Sequence, residues 1–412
     1  MTTDWTNPVN NQNRAYLIGQ NTGYASNIVE MVKREPDLYV IAGDLAGKGG
    51  KQLNWDEFWR HNAGGNGIGY NDPAGSVPIL AAIGNHDLQD AIGKPASVVV
   101  PSGQSCENYA GGELALPKYL TYFEYEPNGV RYEIGDGETF VGNDKDRSQM
   151  FHRLDYGPVT LIFLDTNNGD DSDPERDTNT GLFRDPARAA QWGLPPGRSP
   201  DFNPGSKQYN WLTNNLADAQ RKSKFTFVVN HHCPYSVGYH NRTNIVEGGE
   251  WLSGRAVRVL GEAMIKYGVD GWLCGHDEMV EHSRISGLEL CPDGSTRPKT
   301  VDIYDMGTAG DGLRGQQQTA EGNPKEVWRA HKDCPEVWEN GVLKAGGKHY
   351  GHMEINVSQL PDGRWQCRLE PVYVFVSKNA GGVADTFERR VYDDVVTLVE
   401  GEAPDGLRVI LR

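Results

Sequence analysis

Six short apolar runs in this chain each stop abruptly at a polar cluster, and no other feature constrains the fold as strongly. "RAYLIG" runs into "QNTGYASN", "DLYVIAG" into Asp44, and "VPILAAIG" into "NHD". "VTLIFLD" runs into "TNNGDD", "FTFVVN" into "HHCPY", and "VDGWLCG" into "HDE". Apolar runs of strand length, bounded by turn residues, read as strands buried on both faces. Helical patterns sit between some of them: Ala25–Glu35 with Ser26 as its cap, Ser206–Gln220, and Arg255–Gly268. The result is a layered α/β chain. In such folds ligands gather at the carboxyl ends of the strands, which is where the polar clusters fall. The stretches 88–150, 166–205 and 309–350 read as long irregular loops, either substrate walls or structural insertions. "RRVYDDVVTLVE" and "GLRVILR" read as a terminal pair of strands.

Charge narrows the function classes. The 56 acidic residues against 40 basic ones give a formal net charge of -16. A general nucleic-acid or anionic-membrane binder needs a basic face, so neither partner is expected. No apolar run approaches the roughly 18 residues of a spanning helix. The polar start, "MTTDWTNPVNNQN", does not read as a signal peptide. A soluble protein is expected, with secretion or a periplasmic location left open to a leader removed earlier. The six cysteines form no CxxC pair, and Cys106, Cys291, Cys334 and Cys367 lie in polar stretches where disulfides would be possible.

The strand ends carry the chemistry. Gly43 precedes Asp44, Gly84 precedes Asn85, His86 and Asp87, and Gly275 precedes His276, Asp277 and Glu278; His231 and His232 end another run. A lone strand-end histidine is usually an ordinary hydrogen-bonding residue, and Glu278 alone reads as a surface acid. Several such ends in one chain are harder to explain that way. Carboxylate, amide oxygen and imidazole together suit a divalent cation of intermediate softness.

"AGDL", "VPILAAIGNHD", "VVNHHCPYS" and "YGVDGWLCGH", in that order, resemble the calcineurin-like metallophosphoesterases. "FHRLDYGPVTLIFLDTN", "GSKQYNWLTNNL" and "HYGHMEINV" resemble the purple-acid-phosphatase-like branch, and the likeness spans residues 14–360. It implies a four-layer α/β/β/α sandwich with long loop insertions. It also implies a catalytic domain over 14–375, after a tail at 1–13, with C-terminal strands at 376–412 packed on the same domain. The β-sandwich that precedes the catalytic domain in plant purple acid phosphatases has no counterpart in this sequence.

The resemblance gives the residues roles. Asp44 corresponds to the carboxylate that bridges two metals, and Asn85 and His276 to ligands of the second metal. The remaining ligand, two residues before the proline, corresponds to His232, with His231 as the alternative. His86 corresponds to the histidine that contacts phosphate and protonates the leaving oxygen, with Asp87 orienting it. His231, His240 and Arg242 stand where substrate contacts are found. His352 matches a supporting position, and Asp305, Asp311 and Arg314 border the site in a Gly-rich loop. His349 lies beside His352 in the same late motif.

The first metal site departs from the pattern. Asn21 replaces an aspartate, Glu278 a histidine, and Gly47 the tyrosine of the purple branch. The all-oxygen set Asn21, Asp44 and Glu278 favours harder cations. The cofactor implied is one or two divalent ions among Mn, Fe, Zn, Mg and Ca, acting on a small phosphorylated substrate. The expected activity is metal-dependent hydrolysis of phosphoric monoesters or diesters. Its rivals are a silenced relative that binds a phosphorylated ligand, as Asn21 suggests, and non-phosphate metal chemistry on the same scaffold.

Overall fold

The computed structural model describes residues 17–64, 72–88, 118–130, 149–167, 200–241, 253–310, 313–315, 325–379 and 383–401. Five of the six apolar runs become strands. β1 (Tyr39–Ile41) and β2 (Ile79–Ala81) pair in parallel. β3 (His152–Tyr156), β4 (Val159–Phe163), β5 (Phe225–His232), β6 (Gly271–Gly275), β7 (Val280–Leu290), β8 (Thr296–Met306) and β9 (Glu326–Arg329) follow along the chain. They build a seven-stranded sheet in the order β3-β4-β5-β6-β8-β7-β9. Its centre, β4-β5-β6-β8, is parallel. Every residue of β5 is buried, as expected of a parallel strand covered on both faces. β10 (Val337–Glu339) and β11 (Val342–Ala345) form an antiparallel pair. β12 (Gly351–Gln359), β13 (Trp365–Lys378), β14 (Ala384–Val391) and β15 (Val396–Val399) form a second, antiparallel sheet in which β13 pairs with the other three.

Two cores sandwich the central sheet. On one face Ile162, Val228, Trp272 and Ile303 pack against Leu212, Leu216, Leu260 and Met264 of the helical layer. On the other, Phe163, Phe227, Val229 and Tyr304 meet Cys367, Leu369 and Leu398 of the second sheet. Helix α1 (Gln20–Val32) lies against β12, β13 and β14. Helix α2 (Gln52–Asn62) contributes Trp55 and Phe58 to a third cluster with Ile83, Tyr119 and Phe123. The architecture is therefore the four-layer α/β/β/α sandwich.

Helix α3 (Lys207–Lys222) shows how local sequence sets this up. Ser206 accepts the Tyr209 N–H at 3.2 Å and caps the start. Arg221 and Lys222 in the last turn oppose the negative end of the helix dipole. Gln208, Leu212, Leu216 and Ala219 form the buried stripe, and each leucine contributes about 2 kcal/mol by burial.

Several expectations need correction. Residues 17–19 of the first apolar run are irregular, and 14–16 lie outside the described residues. α1 begins at Gln20 with Gly19 as its N-cap; Ser26 is interior, and its hydroxyl donates back to the Gly23 carbonyl at 2.8 Å. The helix expected over Arg255–Gly268 is a helical turn (Ser253–Ala256), a 3-10 turn (Val257–Leu260) and helix α4 (Gly261–Lys266). The supposed loop 309–350 holds β9, β10, β11 and the short helix Ala330–Asp333. Those strands are short and half-exposed, so their apolar pattern was too weak to read. β13 runs straight through position 375, where the sequence suggested a boundary. Cys233, Cys274, Cys291, Cys334 and Cys367 are free thiols, and Cys106 lies outside the described residues. Much of 88–150 and 166–205, together with "GLRVILR", also lies outside them. No helix among the described residues is long and apolar enough to cross a membrane.

Candidate metal centre

The carboxyl ends of β1, β2, β5 and β6 bring Asp44, Asn85, His231, His232 and His276 to one place. Two glycines make this approach possible. Gly43 has φ +89°, and a Cβ there would stand 2.7 Å from His231 Nδ1. A Cβ on Gly84 would stand 2.2 Å from both the N and the Oδ1 of Asp44. Asp44 and His276 themselves take left-handed backbone, at φ 56° and 78°, uncommon for residues with a side chain and typical of positions held by their surroundings.

The cluster centres on one nitrogen. Nδ1 of His231 lies 2.8 Å from the Ala42 carbonyl, which can only accept, so Nδ1 carries the proton. Nε2 then has Asn85 Oδ1 at 2.9 Å, Asp44 Oδ2 at 3.0 Å and His276 Nδ1 at 3.1 Å. A single proton on Nε2 satisfies one of these neighbours at a time; a cation among the four groups would satisfy all of them. Asp44, His231 and His276 offer ligand atoms within 4.8 Å of one another. The His232 ring lies 4.5 Å from that of His276. Its Nδ1 is 3.0 Å from Thr166 Oγ1, while its Nε2 is buried with no partner among the described residues. An orphaned imidazole nitrogen beside this nitrogen-and-oxygen donor set fits a divalent cation of intermediate softness. The sequence put His232 ahead of His231; the structure puts His231 at the centre and His232 beside it.

Electrostatics agree with that fit at Asp44, His232 and His276. Burial alone would raise the Asp44 carboxyl, but the imidazoles of His231 and His86 pull it well below the ordinary carboxylate range. Burial pushes His276 well below its usual value, reinforced by His240, His232 and His231. Burial does the same to His232, with His231 adding to it. Both rings are therefore neutral at pH 7, the form that ligates. Burial would lower His231 as well, but Asp44 outweighs it and the net shift is upward.

Around the cluster, His86 is fixed at both its backbone and its ring. Its N–H donates to Asp44 Oδ1 at 2.8 Å, and its Nδ1 donates to the Gly47 carbonyl at 2.9 Å. That leaves Nε2 as the nitrogen able to exchange a proton with a ligand. Asp87 was expected to orient His86; the Gly47 carbonyl does so instead. The Asp87 carboxylate accepts the N–H groups of Asp44 at 3.0 Å, Ala46 at 3.1 Å and Gly84 at 2.8 Å, lacing the two strand-end loops together. Burial, with Asp44 nearby, pushes its carboxyl up to about 7.

The other expected residues are placed differently. Asn21 is exposed in the first turn of α1. Glu278 is held by Arg314, with Nε to Oε2 at 2.6 Å and the Arg314 N–H on the Glu278 carbonyl at 3.0 Å. His240 is buried, its ring 3.9 Å from that of His276 and its Nε2 3.2 Å from Arg314 Nη1. Asp305 is buried at the end of β8. His352 ties β12 to α1 through Asn27 at 2.7 Å, and His349 stacks on Tyr373. Arg242 and Asp311 lie outside the described residues. Thr166, the partner of His232, follows the end of β4, and "FLDTNN" is the sequence signal of that strand end.

A family model for the calcineurin-like phosphoesterases matches residues 18–277. The chain belongs to that family. Membership supports a metal-dependent phosphoester hydrolase in general, with divalent metal ions. Among solved structures, a purple acid phosphatase from yellow lupin (Lupinus luteus) seeds is 15% identical, with a TM-score of 0.44, covering 92% of this chain and 49% of that one. The chain thus spans about half the length of the lupin protein. GAP50, the anchor in the inner membrane complex of Plasmodium, is 14% identical with a TM-score of 0.37, covering 95% of this chain and 87% of that one. A search of curated proteins found no match.

Proposed function

We propose that this chain hydrolyses phosphoric esters at a divalent cation held by Asp44, Asn85, His231 and His276, with His232 beside them. The convergence of Asp44, Asn85 and His276 on His231 Nε2 carries this reading. A cation bound there supplies Lewis acidity to a phosphoryl oxygen and lowers the pKa of water. The Ala42 carbonyl keeps the proton on His231 Nδ1, so Nε2 offers its lone pair. His86 Nε2 gives a proton, or a hydrogen bond, to the leaving oxygen, with the ring held by Gly47 and the backbone by Asp44. Asp87 keeps both loops in register.

Exposed Asn21 and the Glu278–Arg314 pair favour one cation over two in this chain. They also favour a second reading, a fold that binds a phosphorylated ligand without turnover. Hydrolysis of an aryl phosphate monoester and diester, after chelation and restoration of single metals, separates the two. Turnover restored by one metal, and lowered by a factor on the order of 10²–10⁴ in His86→Ala while metal content holds, is the expected result. Metal and ligand binding with no turnover under any metal would establish the binder.

A further inference from the structure

β14 and β15 run along the same flank of β13 as one interrupted strand. Val391 pairs with Val372 and Val396 with Leu369, so residues 392–395 bulge out opposite Glu370 and Pro371. The Tyr392 N–H holds one end of the bulge to the Pro371 carbonyl at 2.9 Å. The bulge also brings Asp394 to His282, on β7 of the central sheet.

His282 is fully buried and has a carboxylate at each ring nitrogen. Both oxygens of Asp394 lie 3.0 Å from Nδ1, and Asp302 Oδ1 of β8 lies 2.7 Å from Nε2. A carboxylate only accepts, so both nitrogens must carry protons for this geometry to hold. The ring is therefore an imidazolium that joins the two sheets through charge-assisted hydrogen bonds. Arg284, two residues on and on the same face of β7, donates from Nε to the same Asp302 oxygen at 2.6 Å. Burial would raise Asp302, but His282 and Arg284 hold it below the ordinary carboxylate range. Tyr304 of β8 stacks on the imidazole with centroids 4.2 Å apart, and burial pushes its hydroxyl far up, so it stays neutral. Near Asp394, burial and Asp333 push the Cys334 thiol up to about 11. From β9 the register partner of His282 is the uncharged Trp328. Two carboxylates thus face two cations, His282 and Arg284, and the charges balance only while the imidazole is protonated.

We propose that the Asp302–His282–Asp394 bridge is a pH-operated latch between the two sheets, closed while His282 carries both protons and released at the bulge when one of them leaves. The Nδ1 proton is the one lost to solvent. Asp302 is 1% exposed and has no route to water, so the remaining proton stays on Nε2. Asp394 is 12% exposed, and a small outward movement of the bulge hydrates it. With Nδ1 bare, its lone pair faces the carboxylate oxygens, and that repulsion drives the bulge off β7. Burial would lower the imidazole, but Asp302 and Asp394 outweigh it and the net shift is upward. The latch therefore contributes in full below the ordinary histidine value of 6.5 and is lost as pH rises through the higher folded value. None of these residues belongs to the metal centre, so the latch does not depend on the phosphoesterase reading.

Hydrogen–deuterium exchange of the full chain, followed at the amides of residues 392–399 at about pH 6 and about pH 9, tests the latch. Asp394→Asn keeps the shape of the bulge and removes its charge, and comparison with wild type at the same pH cancels the intrinsic exchange rate. At the lower pH wild type is expected to exchange about tenfold more slowly than Asp394→Asn, the factor that one pKa unit supplies. At the higher pH that protection should vanish, while the amides of β5 exchange alike in both proteins throughout. His282→Gln, uncharged at every pH, should exchange like Asp394→Asn at both. Wild-type protection that is equal at the two pH values, or missing at the lower one, would overturn the proposal. Should His282→Gln fail to fold, the comparison with Asp394→Asn decides alone.

Discussion

Single residues decide whether the strand ends can meet. Gly84 passes so close to Asp44 that a methyl group would stand 2.2 Å from the Asp44 nitrogen. Gly84→Ala is therefore expected to cost about 1–3 kcal/mol through forced backbone shifts and to weaken metal retention. Urea midpoints and metal content per chain would show both. Asp87 is the partner constraint, since three backbone N–H groups converge on its carboxylate. Asp87→Asn keeps the shape but turns an NH₂ toward a donor. A destabilisation of about 1–3 kcal/mol is expected, with His86 still held by Gly47. A variant as stable as wild type would show that the carboxylate is not what laces the loops.

Among the elements, the docking of α1 on the second sheet is electrostatic as well as apolar. Glu354 on β12 takes Arg389 at 2.7 Å, Arg34 of the segment after α1 at 3.3 Å and His352 at 3.4 Å. Burial alone would raise its carboxyl, but His352 and Arg389 outweigh burial and hold it at about 2. A depressed carboxyl adds stability that is complete above its ordinary value of 4.5 and disappears as pH falls through about 2. After discounting for solvent, the contribution is on the order of 1–2 kcal/mol. Denaturant midpoints should therefore fall across that acid window in wild type, and Glu354→Gln should flatten the fall. An identical slope in the variant would remove Glu354 from the docking.

At the scale of the whole molecule, the central sheet was legible because its parallel strands are buried on both faces and so read as unbroken apolar runs. "FTFVVN" became β5 and "VDGWLCG" became β6 for that reason. β10 and β11 were illegible because half-exposed strands of three and four residues leave no period to detect. The first apolar run misled, since "LIG" ends in a glycine that caps a helix instead of closing a strand. Asp44, Asn85 and His276 were legible as glycine-preceded strand ends. The choice between His231 and His232 was not, because it depends on which ring faces Ala42 and Asp44 across the irregular register at the end of β5. Arg314 and Glu278 find each other only through the fold. The most direct measurement is metal content of the full chain after dialysis, with aryl-phosphate turnover on the same samples, for wild type and His231→Gln. Wild type should retain a divalent cation and turn over, and His231→Gln should lose both together. A His231→Gln protein that keeps its metal and its turnover would contradict a centre built on that nitrogen.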